Sequence, residues 1–113
     1  MKQHQYHITV QHLCDAKGQP STYTEKLAFN VGNHDDILAI VERMQQVKLF
    51  DAEATAAFAV GLKLFGETLL ENRQHPLFEQ LLPQFGQFMK HLKQTLAQQR
   101  TVQEEEKNNL GLP

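Results

Sequence analysis

Glu67, Glu71 and His75 recur at steps of four, the spacing at which helical side chains stack on one face. Two carboxylates and an imidazole in that order suit a bound metal ion or a general acid–base pair. Two acids at i, i+4 repel mildly when alone, so the arrangement asks for a cation or for water. Lys63 and Arg73 are close enough in sequence to serve as the cation. A solvated helix face accounts for the same three residues, because charged side chains commonly just line exposed surface.

His12 and Cys14 form a second two-residue candidate for a metal. A structural zinc site wants four ligands, and no further Cys/His pair at recognised spacing completes the set. The segment His34-Asp35-Asp36 is explained by helix capping before any chemistry is invoked. Cys14, the one cysteine, has no cationic sequence neighbour to lower its thiol pKa and make it a nucleophile. No phosphate-binding glycine loop, nucleophile elbow or H-E-x-x-H motif occurs. A non-enzyme is therefore expected, with no catalytic, cofactor or metal residue assigned and no cofactor implied.

One further pattern concerns partners. Gln80, Gln84, Gln87, His91, Gln94 and Gln98 recur at steps of four and three, with Lys90, Lys93 and Arg100 beside them and no acid between Gln80 and Arg100. A locally basic helix could meet nucleic acid weakly, although such helices usually carry denser Lys/Arg clusters. A polar face with few charges could also accept a partner helix at little desolvation cost. The whole chain carries eleven Lys/Arg and thirteen Asp/Glu. Through residue 100 the count is ten against ten, and the acidic excess lies in Glu104, Glu105 and Glu106. A balanced body gives no electrostatic reason to expect nucleic acid or an anionic membrane.

The elements that must position these residues follow from a change of rhythm at Gly32. Before it, apolar residues alternate: Tyr6, Ile8, Val10 in a strand over 4–14 and Leu27, Phe29, Val31 in a strand over 22–31. Asp15 to Pro20 is turn chemistry. Joining the apolar faces favours Ile8 opposite Phe29, Val10 opposite Leu27 and His12 opposite Glu25. After Gly32 the spacing is helical. Asn33 suits the N-cap of a first helix, with Asp35 and Asp36 in its first turn and Ile37, Leu38, Ile40, Val41, Met44 and Val47 as its apolar stripe.

Asp51 can cap a second helix over about 52–72, rich in small residues and expected to be the central, most buried one. Packing is expected to offset the cost of Gly61 and Gly66 within it. His75-Pro76 opens a third helical segment, which either kinks at Pro83 or breaks and restarts there. Its stripe ends near Arg100. The expected organisation is one compact domain over 4–99 and a disordered acidic tail over 100–113. The fold class is α+β, a β-hairpin followed by three helices, with the hairpin packed on the helical layer.

Three segments carry a family likeness: Gly32-Asn33-His34-Asp35-Asp36, then Ala57-Phe58-Ala59-Val60-Gly61-Leu62-Lys63-Leu64-Phe65-Gly66-Glu67, and His75-Pro76-Leu77-Phe78. Over roughly residues 4–96 the chain resembles small bacterial proteins catalogued as domain of unknown function 3861. The resemblance implies a bacterial, cytoplasmic, compact domain and no particular activity. No apolar run approaches the roughly 20 residues of a membrane span, and the start of the chain lacks the apolar core of a secretory signal. One cysteine fits a reducing cytoplasm. The leading expectation is a small non-catalytic protein-binding or adaptor module, self-associating as a homodimer or meeting another protein at an open strand edge or along the third helix. Metal or small-ligand binding at Glu67, Glu71 and His75, and weak nucleic-acid binding through the third helix, are the alternatives.

Overall fold

The computed structural model describes residues 2–110, with side chains through residue 105. An antiparallel hairpin comes first and three helices follow, the α+β order expected from the change of rhythm. Strand β1 spans His4–Val10 and β2 spans Leu27–Asn33. Ile8 stands opposite Phe29 and Val10 opposite Leu27, the pairing that joins the apolar faces.

The ladder is shorter than the alternation suggests, and the connecting turn explains why. The Asp15 side chain accepts from the amides of Lys17 and Gln19, each at 2.9 Å. Gly18, at φ +84°, donates to the Asp15 carbonyl at 3.0 Å, in a left-handed conformation that costs glycine little. An isolated bridge joins Cys14 to Pro20, and proline has no N–H with which to extend a ladder. His12 is thus outside the paired region that would set it across from Glu25. Its Nδ1 lies 2.6 Å from the Ser21 hydroxyl and its ring stands edge-on to Tyr23.

Asn33 does not cap the first helix. The strand runs through it, and the cap is Asp36, whose carboxylate accepts from the Ala39 amide at 3.1 Å. Asn33 instead accepts from the Asp35 amide at 2.9 Å, a local turn of the kind asparagine favours. Helix α1 spans Ile37–Val47 and closes on Lys48 in the left-handed region, with that cation at the pole that favours it. Helix α2 spans Ala52–Glu71, capped by Asp51 on the Ala54 amide at 2.8 Å. It buries Thr55, Ala59, Glu67 and Leu69, and α1 buries Ile37 and Met44.

The two α2 glycines differ. Gly66 lies beneath the Phe85 ring, where a Cβ would come within 3.4 Å. At exposed Gly61 a Cβ would meet nothing within 4 Å apart from chain neighbours and the backbone of its own helix, whereas at Gly66 it would make ordinary van der Waals contact with that ring. Gly61→Ala is therefore expected to stabilise the protein by about 1 kcal/mol, read as a thermal midpoint roughly 5 °C higher. An unchanged or lower midpoint would show that Gly61 is needed for more than its backbone.

A 3-10 turn, Pro76–Phe78, follows α2 with His75 as its cap. Helix α3 spans Leu81–Leu110. Pro83 falls in its first turn, where the missing N–H breaks no helical hydrogen bond, so the segment breaks and restarts rather than kinking. Where an acidic tail was expected from residue 100, α3 continues through Leu110, and residues 111–113 lie outside the described residues. Losing an apolar stripe does not end a helix when the following residues, here Gln, Glu and Lys, favour helix in themselves. Arg100 and Glu104 approach to 3.5 Å across one turn, and Gln103 Nε2 donates to the Val47 carbonyl at the end of α1.

The chain forms two compact units, one ending at Asp35 and the other beginning at Asp36. The hairpin unit closes locally through its ladder and the Asp15 turn. The helical unit holds all five buried apolar residues among those described: Ile37, Met44, Ala59, Leu69 and Leu92. Edge-to-face contacts between Phe50 and Phe58, and between Phe65 and Phe85, add to its packing.

Candidate functional site

Glu67, Glu71 and His75 do not form one site. Helix α2 ends at Glu71, so the four-residue step to His75 no longer follows a helical face. Glu67 is buried whereas Glu71 and His75 are exposed. The His75 Nδ1 accepts from the Leu77 amide at 3.1 Å, and its ring tilts against Phe78. The residue is spent on starting the 3-10 turn. Cys14 is exposed, and His12 bonds with Ser21. Among the described residues no three His, Cys, Asp or Glu side chains come together as metal ligands. In His34-Asp35-Asp36, Asp36 caps α1 and the Asp35 carbonyl accepts from the Tyr6 hydroxyl at 2.8 Å.

The helical unit does build a concave surface of about 1040 Å³ between α1, α2 and α3. Its floor is the inner edge of the apolar stripes: Ile40 and Met44 from α1, Leu62 from α2, and Met89, Leu92 and Leu96 from α3. Such stripes face inward because three- and four-residue steps keep them on one side of each helix.

Four cations also line this cleft: Arg43 from α1, Lys63 from α2, and Lys93 and Arg100 from α3. The one acid among its lining residues is Glu104, the Arg100 partner. Three of these bases follow the same local rule. Arg43 precedes Met44, Lys63 follows Leu62 and Lys93 follows Leu92, and one residue is about 100° of helical rotation. A long side chain one position from a buried stripe rests its methylenes on the apolar edge and carries its charge to the rim. Of the bases singled out on the third helix, Lys93 and Arg100 reach the cleft lining.

The arrangement offers an apolar seat with a cationic border, chemistry suited to holding an amphipathic anion. No Ser, Thr, Cys, His or Asp is among the cleft's lining residues. No described helix is long and apolar enough to cross a membrane.

Comparison with known proteins places this architecture among chains of unassigned activity. The family model described as "Domain of Unknown Function with solved-structure structure", DUF3861, matches residues 4–94. A crystal structure at 2.20 Å of a protein of unknown function from Pectobacterium atrosepticum is similar, with 34% sequence identity and a TM-score of 0.71. The match covers 82% of this chain and 99% of that one. No curated protein matches.

Proposed function

Since the chain belongs to the DUF3861 family, whose description carries no activity, we propose a function from the cleft itself: a small non-catalytic protein-binding module. The observation that carries it is the apolar floor bordered by Arg43, Lys63, Lys93 and Arg100. Partner side chains that leave water for such a floor gain about 25 cal/mol per Å² of apolar surface buried. The border charges then select among partners and set their orientation. Met89, half-buried, suits a seat that must adapt to a partner's shape, since methionine is flexible and polarizable. The module acts in the bacterial cytoplasm, a placement supported by a single, exposed cysteine. Its partner is another protein or a second copy of the chain.

A benzophenone side chain installed at Gln46, an exposed cleft residue, tests the seat in the native cell. Irradiation is expected to give one discrete protein adduct, while the same probe at Gln19, in the hairpin turn, gives none. An adduct of twice the chain's mass identifies a second copy. No adduct at Gln46, or equal labelling at both positions, overturns the proposal.

A further inference from the structure

Resting on the binding role proposed above, we infer that the cleft between α1, α2 and α3 receives an amphipathic helix that carries several carboxylates along its length. The first reason is the concentration of charge. Through residue 100 the chain has ten bases and ten acids, yet the cleft gathers four bases with one acid, Glu104. That acid is paired with Arg100 at 3.5 Å on its own helix. A seat of net positive charge on a balanced body attracts an anionic partner and repels a cationic one.

The second reason is how the charges are spread. Lys93 and Arg100 are both on α3, seven positions apart and so about 10 Å apart along its axis. Arg43 and Lys63 come from the other two helices. A lone carboxylate headgroup, such as that of a fatty acid, interacts strongly only with cations within about 4–6 Å and leaves the distant ones unused. Carboxylates repeated along a peptide can meet cations from more than one helix. The volume, about 1040 Å³, already stands at the upper end of the range of small-ligand pockets, which is about 1,000 Å³.

The third reason is the floor. It is aliphatic and thioether in character, with no Phe, Tyr, Trp or His among the lining residues. Single-stranded nucleic acid gains much of its affinity by stacking bases on aromatic rings, and this surface offers none. A groove between helices, apolar at its base, fits leucine-like anchors at i, i+3, i+4 and i+7 of a docked helix. The acids of that helix then project towards the cationic border.

The test uses the full chain and two labelled synthetic peptides, read by fluorescence anisotropy at low salt. Both are amphipathic helices with the same leucine stripe; one has glutamates on its remaining positions and the other has lysines. The glutamate peptide is expected to bind about tenfold or more tightly than the lysine peptide, and to weaken as salt is added. Lys93→Glu/Arg100→Glu is expected to invert that preference while the helical circular dichroism stays unchanged. An inverted preference cannot come from misfolding, and if the double variant fails to fold, the wild-type preference alone decides. Equal binding of the two peptides, or none, overturns the inference. So does displacement of the glutamate peptide by a saturated fatty acid or a single-stranded oligonucleotide at a lower concentration than unlabelled peptide. If the Gln46 probe still captures a protein, only the partner's chemical class is wrong; if it does not, the binding role falls as well.

Discussion

Leu69→Ala is expected to lower stability by about 3 kcal/mol and the thermal midpoint by roughly 15 °C. Leu69 is 1% exposed and is the largest fully buried side chain among the described residues. Its removal forfeits the transfer free energy of three heavy atoms and leaves a cavity that packed neighbours close only in part. Five apolar residues make up the buried core of the described chain, so none is redundant in a domain whose total stability is about 5–15 kcal/mol. Leu70, the next residue, is 52% exposed, and Leu70→Ala is expected to cost below about 1 kcal/mol. Thermal melts followed by circular dichroism compare the neighbours directly. Equal losses at 69 and 70 would mean that α2 does not present the face described.

The hairpin register was legible because apolar alternation admits few pairings: once Ile8 and Phe29 must share a face, Val10 and Leu27 follow. The strand ends were not legible. Residues 11–14 and 22–26 continue the period-two pattern, but beside the Asp15 turn the Leu13 carbonyl accepts from the Ser21 amide and the Tyr23 amide donates to the Ser21 hydroxyl, local bonds outside the ladder. The N-cap of α1 was misplaced for a related reason. Asn33, Asp35 and Asp36 all have cap-forming side chains, and the ladder's hold on Asn33 decides among them. Charge hid the cleft in a comparable way. Lys93 and Arg100 stand out in a segment without acids, whereas Arg43 follows Glu42 and Lys63 precedes Glu67, so their charges cancel along the chain. Only the folded helices sort those bases to the cleft and leave Glu42 and Glu67 outside its lining. The Glu67, Glu71, His75 series failed because its spacing needs a helix through residue 75. Pro76 disfavours helical backbone at the residue before it.

Asn33→Ala is expected to cost about 2 kcal/mol, although the residue makes no cap and belongs to no cluster of chemical groups. Its side chain is 2% exposed and its Oδ1 accepts from the Asp35 amide at 2.9 Å in a part-buried position. Alanine removes the acceptor and leaves that N–H without its partner. An unmade hydrogen bond away from water costs more than the same bond contributes at the surface. Asn30→Ala provides the contrast. Its Oδ1 lies 2.8 Å from His7 Nδ1, but the pair is exposed, so water replaces the lost partner and the expected cost is below about 0.5 kcal/mol. Hydrogen exchange localises the effect: in Asn33→Ala the Asp35 amide is expected to exchange faster than in the parent chain, while Asn30→Ala leaves it unchanged. Asp35 closes the hairpin unit, and Asp36, the cap of α1, opens the helical one. A loss at Asn33 is therefore expected first in the turn that leads from the ladder to that cap. An unchanged Asp35 exchange rate would show that the turn is held by something other than the Asn33 side chain.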